Sequence, residues 1–175
     1  MGSARSTPGL PGENAMKSNV SRVTLGWGVA TLLLGLILAA DSLPSTNPAE
    51  FWNYISQTNP YRKWQHWPGY PGKYPGRSPH GAYLELYAND IAIQAAKAGE
   101  DMPYGAILVK ENYGKDETTL MSITPMYKVK GYNPDAGDWF WAKYSPKGDV
   151  MAAGKISSCI DCHRQGQDYR FTKPK

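Results

Sequence analysis

The chain has 175 residues, enough for about one domain. Its 19 Lys and Arg against 15 Asp and Glu give a mild net charge of +4 with no basic run, which argues against nucleic acid as a partner. Only two cysteines occur, Cys159 and Cys162, so a disulfide-stapled fold is disfavoured.

Residues 1–22 form a polar N-terminal segment, and its first 15 residues are rich in Gly, Pro and Ser. A second start pattern begins at Met16, with Lys17 and Arg22 ahead of an uncharged apolar run over 23–40. That pattern reads as an export signal or a membrane anchor. Leu38 stands where a small residue would favour cleavage, which tips the reading to an uncleaved single span with its positive end cytoplasmic. Either way the rest of the chain is expected outside the cytoplasm, in a periplasm, and an uncleaved helix would hold it at the inner membrane.

Residues 41–79 are expected to be a linker, a short helix and a loop. In "TNPAEFWNYI", Asn47 caps a helix, Pro48 takes its first position and Glu50 lies three beyond the cap. Repeated Pro-Gly pairs over 60–81 predict turns and extended chain, with the aromatics at the surface or over a core edge.

From 80 to 175 the pattern is that of a compact domain. "HGAYLELYAN" alternates as a strand, with Ala82, Leu84 and Leu86 on one face and Tyr83, Glu85 and Tyr87 on the other. "NDIAIQAAKAG" predicts a helix capped by Asn89 or Asp90 and stopped by Gly99. "YGAILVKEN" and "LMSITPMYKVKG" predict two more strands, the latter an edge or bulged strand because of Pro125. "DWFWAKYSPKGD" predicts a fourth, and "SCIDCHRQ" a helical turn. Four strands with flanking helices make a small α+β domain built on an antiparallel sheet.

Cys159, Cys162 and His163 form Cys-x-x-Cys-His, the attachment signature of a c-type haem. A structural zinc site would need a fourth ligand, and His66 and His80 are distant in sequence. The two cysteines are expected to form thioethers and His163 to ligate the iron. For the sixth iron position, Met121, Met126, Met151, His66 and His80 are the candidates, with the methionines more ordinary as packing and His80 as structural. Ordinary small c-type carriers are all-helical with the motif near the N-terminus. Here strands precede it, so the haem is expected against a sheet.

The segments "HGAYLELYAND", "MPYGAILVKEN", "TPMYKVKGYNPDAGDWFWAKY" and "SCIDCHRQGQDYRFT" together resemble the cytochrome P-460 family, including the cytochromes c-prime-beta. The resemblance implies a largely antiparallel sheet holding one haem c, commonly with five-coordinate iron. It also implies hydroxylamine oxidation or nitric oxide binding. In the oxidising members a lysine on a Gly-x-x-x-Val-Lys-Glu strand is joined to the haem. The matching residues here are Gly105, Val109, Lys110 and Glu111, which makes Lys110 the residue for such a cross-link. Strand alternation puts Lys110 on the apolar face of Ala106 and Leu108, where burial favours the neutral, nucleophilic amine; a snorkelling lysine, or one paired with a propionate, is the plainer reading.

Some oxidising members carry an arginine and an acidic residue where this chain has Leu84 and Thr124, which removes the obvious proton acceptor. The expectation is an exported mono-haem cytochrome with an open distal site acting on small nitrogen species, with enzymatic activity of the hydroxylamine oxidoreductase type left open. The alternative is a non-enzymatic electron-transfer or gas-binding haem subunit of a larger respiratory membrane complex. Expected partners are the nitrogen ligand, a redox protein and the membrane, with a homodimer left open.

Overall fold

The computed structural model describes residues 43–171. The polar segment and the apolar run over 23–40 lie outside the described residues. Among the described residues, no helix is long and apolar enough to cross a membrane.

The core is one antiparallel sheet with three α-helices. The four expected strands form its centre: β3 (Tyr83–Ala88), β4 (Ile107–Tyr113), β5 (Leu120–Lys128) and β6 (Trp139–Tyr144). Three more strands were not foreseen. They are β1 (Gln65–His66), β2 (Tyr74–Pro75) and β7 (Val150–Gly154). The order is β1-β3-β4-β5-β6-β7, and β2 also pairs with β3. The helices are α1 (Pro48–Asn53), α2 (Asp90–Ala98) and α3 (Ser157–His163).

Both predicted caps form. The Asn47 side chain accepts from the backbone N–H of Ala49 and Glu50 at 3.0 and 3.2 Å, starting α1. Asn89 accepts from Ala92 N at 3.1 Å and from Ile107 N at 3.0 Å, so one side chain starts α2 and ties it to β4. The helical turn continues past α1 as a single π turn, Tyr54–Thr58.

The register sorts side chains onto two faces, because directly paired residues share a face. Leu86 pairs with Lys110 and Lys110 with Thr124; Leu84 pairs with Asn112 and Asn112 with Ser122. This face also carries Leu108, Met126 and Trp141, and it packs on α2 and on Ile160 of α3. The opposite face carries Val109, Ile123, Tyr127, Phe140 and Tyr144, and it is covered by Phe51 and Ile55. Both of these are fully buried, and such a side chain contributes about 2–3 kcal/mol of hydrophobic stabilisation.

Two expectations are corrected. The aromatics of the Pro-Gly segment do not all lie at the surface: Tyr61 and Trp67 are each 1% exposed and belong to the two cores. The Trp67 backbone N–H donates to Leu86 O at 2.9 Å, and the segment pairs with β3 in two short pieces, Gln65–His66 and Tyr74–Pro75. Pro125 does not mark an edge either, since β5 lies between β4 and β6. The ladder to β6 holds at Ile123–Tyr144 and resumes at Met126–Trp141, skipping Thr124 and Pro125. The missing proline N–H is accommodated by opening the ladder locally, and that opening borders a cleft on the Lys110 face.

Candidate functional site

The cleft lies where β4, β5 and β6 face α3. Its floor is apolar, from Leu86, Leu108, Met126 and Trp141, and His80, Lys110 and His163 reach into it. Cys159 and Cys162 line the same cleft as free thiols, the first half-buried and the second exposed. On α3 the spacings of three and four residues put both sulfurs and the His163 ring along one side of the helix. Ile160 anchors the helix in the core. Sequence reading therefore named Cys159, Cys162, His163 and Lys110 from two distant segments, and the fold brings all four together.

His163 is held by the C-terminal segment beyond α3. Its Nδ1 lies 2.7 Å from the Tyr169 backbone carbonyl. A carbonyl only accepts, so Nδ1 carries the proton and Nε2 keeps its lone pair. Burial pushes the His163 pKa down, with the carbonyl opposing and Lys110 adding to the fall. A neutral imidazole with a fixed tautomer is the form that ligates metals. Trp141 packs on the ring at 4.7 Å and Phe171 at 5.4 Å.

The Tyr169 carbonyl is itself fixed by a device the sequence did not reveal. Asp168 and Tyr169 both adopt left-handed backbone, at φ 45° and 60°. The Asp168 carboxylate accepts from Lys128 Nζ at 2.6 Å and from Met102 N at 2.7 Å, and its backbone carbonyl accepts from Trp139 Nε1 at 3.2 Å. Only the fold shows which side chain Asp168 and Tyr169 orient.

Lys110 sits between Leu86 and Thr124 across the strands, on the apolar face that alternation predicted. Burial pushes its ammonium down to about 8, opposed only by the Cys162 thiol. No carboxylate lines the cleft among the described residues. Thr124 offers only its hydroxyl, 3.0 Å from the Asn112 amide nitrogen.

Of the five residues named for a sixth iron position, two line the cleft, Met126 and His80. His66 is bonded to Glu85 at 2.9 Å and packs on Tyr87, on the other face. Met121 and Met151 are solvent-exposed. Trp139 and Trp141 lie on the cleft side of the sheet and Tyr144 on the opposite side.

A family model described as Cytochrome P460 matches residues 58–172. The chain belongs to the cytochrome P460 family. No curated protein matches it. The match starts upstream of residue 80, where the resembling segments begin, and takes in Tyr61 and Trp67 of the core. The family binds haem c. The cleft of this P460 chain fits such a group on its own chemistry. It offers two free thiols, an imidazole with an open Nε2 and an apolar floor for a flat ring. The Trp141 indole N–H is buried with no hydrogen-bond partner among the described residues, as a wall awaiting a ligand would be.

Proposed function

We propose that the chain is an exported mono-haem c-type cytochrome acting on small nitrogen species, hydroxylamine or nitric oxide. Cys159 and Cys162 would hold the haem through thioethers, and His163 would ligate its iron. The observation that carries this reading is the convergence of both thiols and a neutral, carbonyl-locked His163 on one apolar cleft. Bound haem c supplies an iron that takes a small ligand and accepts its electrons. The protein's part is to orient the imidazole, exclude water with Leu108, Met126 and Trp141, and present Lys110. Lys110 is the residue proposed for the additional haem cross-link, because its amine is largely desolvated and has no carboxylate partner among the described residues of the cleft. Electrons leave to a separate redox protein, and the run over 23–40 anchors the chain at a membrane.

A second reading is a non-enzymatic gas-binding or electron-transfer subunit. The absence of a carboxylate from the described cleft favours it, since hydroxylamine oxidation must release protons. One experiment separates the two. The haem-loaded protein is mixed with hydroxylamine and a soluble electron acceptor, and a spectrum is recorded with nitric oxide. Sustained acceptor reduction supports the enzyme, and a nitric oxide complex without turnover supports the binding protein. A protein that takes up no haem, or shows neither response, overturns the proposal.

A further inference from the structure

We infer that His80 is the second axial ligand of the iron, so that the resting site carries two imidazoles and small ligands enter only when His80 leaves. This rests on the proposed haem site and sets how that site is reached.

The argument starts at Asn112, which is 1% exposed. Its side-chain nitrogen lies 3.0 Å from Ser122 O, 3.0 Å from Thr124 Oγ1 and 3.2 Å from Lys110 O. Two of these are carbonyls that only accept, so the amide has one orientation: turning it over would set oxygen against oxygen. Asn112 Oδ1 therefore faces His80 Nδ1, at 2.8 Å. An amide oxygen accepts, so His80 Nδ1 carries the proton and Nε2 holds the lone pair. His163 has the same tautomer, set by the Tyr169 carbonyl. Both imidazoles of one cleft thus have Nδ1 tied to a fixed acceptor and Nε2 open, the arrangement of histidines that ligate metals.

The spacing agrees. The His80 and His163 ring centres are 6.2 Å apart, with planes crossed at 82°. A metal gripped by two imidazoles from opposite sides, about 2 Å from a nitrogen of each, holds the ring centres about 6 Å apart. Rings that simply pack on His163 come closer, Trp141 at 4.7 Å and Phe171 at 5.4 Å.

The position of His80 is set from outside the ladder. It precedes β3, and the next residue, Gly81, lies so close to β4 that a Cβ there would stand 2.3 Å from Tyr113 O and 2.5 Å from Tyr113 N. His80 is thereby delivered to the cleft by a loop that includes the exposed residues Arg77, Ser78 and Pro79. His80 lies outside the strands, so its departure breaks the bond to Asn112 Oδ1 and no ladder hydrogen bond.

The test uses the full haem-loaded chain with isotopically labelled histidine. Hyperfine spectroscopy of the ferric protein counts the histidine nitrogens on the iron. Two are expected, with a low-spin ferric spectrum. In His80→Ala one remains and the iron turns high-spin. Cyanide binding to the native ferric protein should reach a rate ceiling as cyanide rises, set by His80 departure, whereas His80→Ala should bind without a ceiling and about tenfold tighter or more. A single coupled histidine nitrogen in the native protein overturns the inference, and that measurement needs no variant to fold. A high-spin native iron, or a His80→Ala protein with native spectrum and kinetics, overturns it too. Spin state is read apart from turnover: a high-spin iron that oxidises hydroxylamine sinks this inference alone, and a two-imidazole iron inert to nitrogen ligands sinks only the nitrogen chemistry.

Discussion

The imidazole of His163 is oriented by a residue six positions further along the chain: its Nδ1 donates to the Tyr169 carbonyl at 2.7 Å. That carbonyl is held in turn by the Asp168–Lys128 pair, whose side chains are 7% and 14% exposed. Asp168→Asn should therefore do two things. It leaves a mostly buried Lys128 without its charge partner, costing about 2–4 kcal/mol in chemical denaturation. It also loosens His163, which a shift of the iron–histidine stretching frequency would reveal. An unchanged frequency would mean that Tyr169 is placed without Asp168.

Gly137 offers a milder way to disturb the same carbonyl. It has φ 64°, and a Cβ there would lie 2.9 Å from the Tyr169 ring. Gly137→Ala should cost about 1–2 kcal/mol from left-handed strain and from the displaced ring. The melting temperature should fall while haem content stays native.

Cys159 and Cys162 should differ from ordinary surface thiols in what their loss does. Serine at both positions, in a Lys110→Ala background that removes the proposed cross-link, should abolish covalent haem, read as loss of the haem mass from the denatured polypeptide. Either single substitution should leave one thioether, visible as a shifted reduced haemochrome band. Covalent haem surviving the double substitution, with Lys110 also replaced, would exclude both sulfurs as attachment points.

Lys110 gives the fold a pH dependence whose sign follows from its burial. Its folded pKa of about 8 lies below the ordinary 10.5, so the unfolded chain holds the proton more tightly. Below pH 8 the haem-free fold carries the full cost of a desolvated ammonium, and that cost fades as pH rises from 8 to 10.5. Lys110→Met in the haem-free chain should be stabilising by about 1–3 kcal/mol at neutral pH, with the gain shrinking towards pH 10.5. Denaturation curves at the two ends of that range check it. A constant gain would mean that the ammonium is not desolvated.

Glu111 follows Lys110 in sequence but projects to the other face, as strand alternation requires. There it accepts from Arg62 Nε at 2.8 Å and from the hydroxyls of Tyr61 and Tyr113, and it is 1% exposed. Glu111→Gln should cost about 1–3 kcal/mol by weakening these bonds. The haem spectrum should stay native. A changed spectrum would mean that the two faces are coupled through the strand.

Features that rest on local pattern were legible in the chain alone. Alternation in "AYLELY" and "AILVKEN" marked the central strands and the correct face for Lys110, because a pleated strand turns every second side chain the same way. Asn47, and the pair Asn89 or Asp90, marked the helix starts, since a short polar side chain can satisfy free N–H groups there, and the fold chose Asn89. Cys159, Cys162 and His163 announced haem chemistry through their spacing. Whatever depends on residues far apart in the chain waited on the tertiary fold. Tyr61 and Trp67 became core because strand pairing folded a proline-rich segment over β3, and Pro125 lay mid-sheet because the ladder beside it could open. His80 read as a structural histidine at a strand entrance. Its tautomer is set by Asn112, 32 residues away, and Asn112 is oriented by carbonyls on two strands. Hydrogen-bond direction is a property of groups brought together by pairing, and no local pattern carries it.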